Sequence, residues 1–483
     1  MLADKRKVWG GVLILFLLCS MITFRILDNG VLCSVALKSE EKLMQMCSDK
    51  TFVEHAADAG NLLLFDGQSI PYDEESNCFY ICQNMETKDY HGTITAASNN
   101  LAIWIAKDEY IHKLEDAIRE GHSFAVWIAA NDTYTICHIV FTGMPVVVLH
   151  TEEDIGTEYL FGTIDVWNPH DQEIITVSCK ESHMRIKCSE SMETYTAKLM
   201  EQDNVNNRRL SLLDMGKYDA WKFYAVSQKD KTYLRSMLSY LLWNHINTNE
   251  KFNRPCQYAE VLVNNEYKGL FLVAPRIDDD FLELGATGEV ISVKLPQNER
   301  EILGEYSDDD TVYRAADAYH LETLNFDNLV EYFLFLETTY AYQNVSDNFY
   351  AIWDSTCEQS FLMPGKIEYS FNTFPNRLQY LTWQAQERVL TPQLLEMEGA
   401  FSDKDIQQQM QQKWQALRSG ILSNDELIRL TEELDFYLNE SGYVIRCGIA
   451  SGNTYAHAES IGEFKNYLMA RMEVLDRYYE TGE

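Results

Sequence analysis

The stretch "YAEVLVNNEYKGLFLVAPRI", residues 258–277, decides how this chain folds. Apolar and polar positions alternate on both sides of Asn264-Asn265, and asparagine tolerates the positive φ that a tight hairpin turn needs. The spacing predicts two antiparallel strands meeting at that pair. Upstream, "MPVVVLHT", "TEYLFGTIDVWN", "QEIITVSCK", "HMRIKCSE" and "ETYTAKLM" are extended in pattern. Between them and the hairpin, "QKDKTYLRSMLSYLLWNHI" carries Leu234, Met237, Leu238 and Leu241 on one apolar stripe, the signature of a core-facing helix. From residue 321 onward the pattern is mostly helical, as in "NLVEYFLFLETTYAYQN" and "DELIRLTEELDFYLNESG". Strands followed by helices predict an α+β architecture, with residues 140–320 largely sheet and 321–480 largely helix.

Working outward, residues 51–140 form a smaller β-rich unit behind a tether at 28–50. Its one helix is expected in "KDEYIHKLEDAIREG", with Tyr110, Leu114 and Ile118 in line and Gly121 at the C-cap position. "GHSFA" nearby resembles a nucleophile elbow, but it runs from helix to strand, which excludes the hydrolase reading. At the N-terminus, Lys5, Arg6 and Lys7 precede a sixteen-residue apolar run from Trp9 to Phe24. The positive flank keeps that end cytoplasmic and sends the remaining chain outside. No small-residue cleavage site follows, so residues 1–27 are read as an uncleaved signal anchor, with a cleaved signal and a secreted chain as the alternative. The expected location is the cell membrane, single-pass, with an extracytoplasmic domain.

The 483 residues carry 40 basic and 74 acidic side chains, a net charge of −34. That balance argues against nucleic acid as partner, because phosphate backbones need a basic footprint. The acidic triplets at 278–280 and 308–310 lack the spacing of a calcium loop and read as solvated turns. Eleven cysteines are too few for a disulfide scaffold. Cys78 and Cys82 lie too far apart along a strand to bridge. "ITVSCKESHMRIKCSE" reads as two strands around a turn near His183-Met184, which would set Cys179 opposite Cys188 within reach of a disulfide, the alternative being two free thiols.

"LSLLDMGKYDAWKFYAVSQKDKTYLRSMLSYLLWNHI", residues 210–246, resembles the CotH family, the atypical kinases related to spore coat protein H. The likeness rests on Leu212, Leu213 and Trp221, and on the Asp-x-Thr-x-Leu-Arg run of Asp230, Thr232, Leu234 and Arg235. In the same order follow "VLVNNEYKGLFLV" at 261–273, "DNFYAIWD" at 347–354 and "MPGKIEYSFN" at 363–372, and "MPVVVLHTEEDI" at 144–155 precedes. The closing helices "KWQALRSGILSNDEL" and "FKNYLMARMEVLDRYY" extend the resemblance across roughly residues 141–480. It implies a divergent protein-kinase-like, bilobal fold, a β-rich N-lobe and a helical C-lobe around a cleft for ATP and Mg²⁺.

The resemblance carries over residue by residue. The family's strand lysine matches Lys198, a nucleotide-binding candidate, while the lysine pair before it falls on Met192 and Glu193. Pro275 stands where a glutamate belongs. The catalytic aspartate falls on Gln343 or Asn344, and the asparagine that follows it matches Asn348. Asp347 adjoins that site, out of register, so Asp347 and Asn348 are the catalytic candidates. The pattern Pro-x-Asp-x-Asp-x-Ser-Phe-Gly meets Pro364, Lys366, Glu368, Ser370, Phe371 and Asn372. Glu368 remains a metal candidate. Lys366 repels a metal and instead offers phosphate a point charge, a second nucleotide-binding candidate.

Three functions compete. The first is a surface-anchored CotH-like pseudokinase that binds a surface or spore-coat protein or a cell-wall component. The second is an active atypical kinase, or a phosphoryl or nucleotidyl transferase, with relocated ligands. The third is a carbohydrate- or wall-binding module using exposed aromatics of region 50–140.

Overall fold

The computed structural model describes residues 35–56, 59–86, 92–107, 113–169, 178–188, 194–227, 229–284, 287–293, 323–345, 347–373, 389–390 and 403–481. Asn264 and Asn265 take φ of 49° and 62° between the antiparallel strands Gln257–Val263 and Glu266–Pro275, as the turn chemistry requires. This hairpin belongs to a closed barrel whose other strands are Val146–Thr151, Leu160–Asn168, Ser178–Cys188, Thr194–Leu199 and Ala220–Ala225. Parallel pairing of Val146–Leu149 with Glu260–Val263 closes it. Closure leaves no bare strand edge.

Alternation along each strand separates two cores. Val147, Leu149, Ile186, Ala197, Trp221 and Phe223 fill the barrel interior. The alternate positions Val146 and Val148 pack instead against the N-terminal sheet, alongside Phe79, Ile81 and Phe124. Burial on both faces explains why "MPVVVLH" is continuously apolar. On another side of the barrel, Tyr224, Leu270 and Leu272 join the core of the helical half. The helices Arg235–Ile246, Phe326–Thr339, Asp403–Arg418, Asn424–Glu440, Tyr443–Ser451 and Ala456–Thr481 build that half. The architecture is α+β, and its sheet-rich part is a barrel.

The N-terminal sheet orders Ala36–Lys38, Ala102–Ala106, Ser123–Ala129, Thr133–Thr142, Cys78–Cys82 and Tyr72–Asp73, with Thr51–Phe52 added to Thr133–Tyr134. Two expectations need correction here. Within the stretch 28–50 read as a tether, Ala36–Lys38 pairs with Trp104–Ala106, and the helix Glu40–Met46 buries Leu43. In the helix expected at 107–121, Leu114–Arg119 is helical and Gly121, at φ 62°, ends it, while 108–112 lie outside the described residues.

A third correction concerns Cys179 and Cys188. Ser178–Cys188 is one uninterrupted strand, Cys179 facing Trp167 and Cys188 facing Tyr195. Nothing at His183-Met184 supplies positive φ, and a long partner strand holds Leu160 to Asn168 in continuous register against Ile186 to Ser178. Nine residues of strand separate the Cα atoms of Cys179 and Cys188 by about 30 Å, far beyond disulfide reach, and Cys188 is buried. The expected anchor, residues 1–27, lies outside the described residues. No helix among the described residues is long and apolar enough to cross a membrane.

Candidate functional site

The Asp-x-Thr-x-Leu-Arg run builds a helix start. Asp230, buried at the turn, accepts hydrogen bonds from the backbone N–H of Thr232 (3.0 Å) and of Arg235 (3.1 Å). These bonds satisfy donors that a helix N-terminus leaves orphaned. The helix that follows then holds the 363–372 segment. Ser236 Oγ donates to the Ile367 carbonyl (2.8 Å), Tyr240 Oη to the Gly365 carbonyl (2.9 Å), and the Ile367 N–H to Tyr240 Oη (3.2 Å). Ile367 is thereby buried, and Lys366 and Glu368 on either side of it face a cavity of about 270 Å³. Tyr224, Lys229, Ser236 and Tyr240 complete its lining. Lys366 Nζ lies 3.5 Å from Glu368 Oε2.

The 344–348 turn lies against the same segment. The Gly365 N–H donates to the Asn348 carbonyl (2.7 Å), and a Cβ at Gly365 would meet that oxygen at 2.3 Å, so only glycine permits the approach. Asn344 Nδ2 donates to the carbonyls of Asn348 (2.8 Å) and Lys366 (3.2 Å). Asp347 is buried and accepts from the Asn348 N–H (2.9 Å) and Nδ2 (3.0 Å). Asp347, Asn348, Lys366 and Glu368 therefore share one neighbourhood, with Asp347 engaged by its own neighbour's amide.

Lys198 sits elsewhere on the barrel. It points outward between the buried Ala197 and Leu199, its Nζ 5.7 Å from the centre of the Tyr159 ring. Burial, then the neighbouring Arg276 and Arg185 guanidiniums, hold its ammonium below the ordinary lysine pKa. No hydrogen bond or ion pair among the described residues links Lys198 to Lys366, Glu368, Asp347 or Asn348. Pro275 closes the strand Glu266–Pro275, opposite Trp221, and supplies no charge.

Two cationic features escaped the sequence reading. Arg254 is 1% exposed, its guanidinium 5.1 Å from the Tyr240 ring, and its Nη2 donates to Tyr224 Oη (3.2 Å). Its Nε and Nη1 have no partner among the described residues. It stands behind two tyrosines that line the Lys366 cavity. The second feature is the set of cations around Tyr159. Strand register assembles the cations around Tyr159, while Arg254 is set behind the tyrosines by its loop, whose backbone Asn244 holds from the helix Arg235–Ile246.

Residues 192–356 match the family model described as CotH kinase protein. Over that stretch the chain is similar to the CotH kinase family. The CotH match takes in Lys198, the Asp230 turn, the Asn264-Asn265 hairpin, Asp347 and Asn348, and stops short of Lys366 and Glu368. It covers less than the 141–480 span of the expected resemblance. No curated protein matches the chain. Among solved structures, the chain is similar to the "Crystal structure of the golgi casein kinase" at 8% identity, covering 70% of this chain and 75% of that one, with a TM-score of 0.26. A likeness that slight carries no argument about the fold.

The CotH resemblance implies ATP and Mg²⁺, and the side chains present can be tested against them. Magnesium requires oxygen ligands, usually one or two carboxylates. The 366–368 pair offers one, and it is engaged by the Lys366 ammonium. At about 4 Å and an effective dielectric of about 20, one unit charge contributes about 4 kcal/mol, and twice that against a divalent ion. Magnesium does not fit this pair. Elsewhere, Asp278 caps its own turn by accepting from the Phe281 N–H (3.0 Å), and Asp280 pairs with Arg209 at 2.7 Å. The triplet at 308–310 lies outside the described residues. In region 50–140 Phe52 is exposed, and Trp127 is buried and stacked on Tyr134.

Proposed function

We propose that this CotH-like chain is a pseudokinase, carried outside the membrane on its N-terminal segment and acting by binding a surface or spore-coat protein or a cell-wall component. The observation that carries the reading is the Lys366–Glu368 ion pair. It sits where the resemblance calls for two metal-binding aspartates. Asn344 adds support, because its amide is spent on two backbone carbonyls and an amide cannot take a proton from a nucleophile. Asp347 is likewise committed to the Asn348 backbone and side chain.

The test is phosphoryl transfer from radiolabelled ATP with Mg²⁺ or Mn²⁺, to the chain itself and to a general protein substrate. The expected result is no incorporation above that of heat-unfolded protein. Incorporation that Lys198→Ala abolishes would establish an active kinase with relocated ligands and overturn the reading.

A further inference from the structure

A cavity of about 1060 Å³ lies between the N-terminal unit and the outer face of the barrel, and it shares no lining residue with the cavity at Lys366. Junctions between units are favoured places for ligand sites. Alternation positions the barrel's contribution. Val147, Leu149, Ile164 and Val166 fill the interior, so Val148, His150, Thr163, Asp165 and Trp167 face outward into the cavity. The N-terminal unit contributes His55, Asn61, Gln68, Ser69, Glu74 and Glu75. Buried Ile70, Tyr72, Val148 and Trp167 make an apolar floor. Through His150 and Thr163, which line both, the cavity runs on into a second of about 610 Å³ that holds Glu152, Glu153 and the exposed ring of Phe161. Phe161 and Trp167, on one face of the same strand, stand six positions and about 20 Å apart. The two cavities therefore form one elongated groove.

No lysine or arginine lines this groove among the described residues, while Glu74, Glu75, Glu152, Glu153 and Asp165 do. That balance repels phosphate, sulfate and carboxylate ligands and attracts ammonium groups. Among the described residues no three carboxylate, imidazole or thiol side chains gather as ligands of one metal ion, so these carboxylates are strung along the groove rather than focused. Two of them are held in place: Asn265 Nδ2 donates to Glu74 Oε1 (3.0 Å), and His150 Nε2 lies 3.9 Å from Asp165 Oδ2. The rest of the lining is of another chemistry. Asn61 and Gln68 bring amide donors, and Ser69, Thr163 and the two imidazoles donate or accept. A polyamine or a lysine side chain offers donors alone and leaves those amide donors unmet, whereas a sugar hydroxyl both donates and accepts. Phe161 adds an exposed apolar ring that the C–H face of a pyranose can cover.

We propose that this groove binds an oligosaccharide carrying free amino groups. Its hydroxyls meet the amide, hydroxyl and imidazole groups, its ammonium groups meet the carboxylates, and one sugar ring lies on Phe161. This names a ligand class for the reading of the chain as a binding protein and rests on that reading, at a site apart from the Lys366 cavity.

Calorimetric titration of the full chain at about pH 6, where an amine is charged, compares a linear glucosamine tetramer, its N-acetylated counterpart and tetralysine. The glucosamine tetramer is expected to bind, with the other two each at least about tenfold weaker. Glu75→Gln and Asp165→Asn should each raise the Kd of the glucosamine tetramer about tenfold, and Phe161→Ala about fivefold. Lys465→Ala, on the distant helix Ala456–Thr481, should leave it unchanged. Equal thermal midpoints confirm intact folding, and Glu75 is exposed, so its variant tests the site even where Asp165→Asn lowers the midpoint. The proposal is overturned if the glucosamine tetramer fails to bind, if the N-acetylated tetramer or tetralysine binds as tightly, or if Glu75→Gln and Phe161→Ala both bind like the wild type. Absent binding with no phosphoryl transfer removes this proposal and leaves the pseudokinase reading standing. Phosphoryl transfer with glucosamine binding intact would overturn that reading and keep this one.

Discussion

Glu337 and Arg471 show what one residue pair contributes in this fold. Both side chains are fully buried, with Arg471 Nη2 2.7 Å from Glu337 Oε2 and 2.8 Å from the Glu337 carbonyl. The other carboxylate oxygen accepts from the Leu390 N–H (2.8 Å), and the guanidinium lies 5.0 Å from the Tyr340 ring. A buried pair this well bonded is costly to break, because the surviving charge has no water to turn to. Glu337→Ala should lose about 3–5 kcal/mol of stability in chemical denaturation. A Glu337→Leu/Arg471→Met double variant should recover most of that loss. A similar midpoint for the single and double variants would show that the pair contributes packing alone. Lys366–Glu368 is different in kind: it is partly open to solvent, so its importance lies in what it replaces and its stabilising effect is small.

At the scale of elements, the hairpin at Asn264-Asn265 ties three parts of the molecule. Asn264 Oδ1 accepts from the Thr151 N–H (2.8 Å) on the neighbouring barrel strand, and Asn265 Nδ2 donates to Glu74 (3.0 Å) of the N-terminal unit. Asn264→Val should destabilise by about 2 kcal/mol or more, since a β-branched residue resists positive φ and the Thr151 donor loses its acceptor. Asn264→Gly, which keeps the turn and loses only the side-chain bonds, should fall between Val and wild type in thermal midpoint. An equal loss for Val and Gly would place the whole effect in the side-chain bonds. The Asn264-Asn265 hairpin was legible because its signal is local: two residues permit the turn and alternation fixes the faces. The false hairpin at His183-Met184 shows the converse, since a change in apolar pattern without a turn-forming residue left one long strand intact.

Across the whole molecule, three bodies are locked by ion pairs that bridge distant sequence. Arg446, on the helix Tyr443–Ser451, reaches Glu260 of the barrel, which also accepts from Tyr267 Oη. Arg119 of the N-terminal unit pairs with Glu440 of the helical half, Nε to Oε1 at 2.9 Å. The proposed location is a property of the whole chain. Full-length protein should sediment with membranes and be digested by protease added to intact cells, while cytoplasmic markers survive. Full-length chain recovered from the soluble cytoplasm would refute the anchor.

The sequence alone determined what neighbours along the chain can settle. Period-two alternation assigned faces to strands, the Leu234–Leu241 stripe placed a helix, the Asp230 run marked its start, and the order of elements made the architecture α+β. Lys366 and Glu368, two positions apart around a buried isoleucine, were visibly side by side. Closure of the barrel, the contact of the 344–348 turn with Gly365 and the cationic face around Tyr159 were decided by tertiary structure. Alternation says which way a side chain points, but it is silent about which strand lies next to it. Arg185, Lys187, Lys198 and Arg276 become one cluster only when ladder register and chain closure bring four strands together, and those pairings are fixed by packing of the whole barrel.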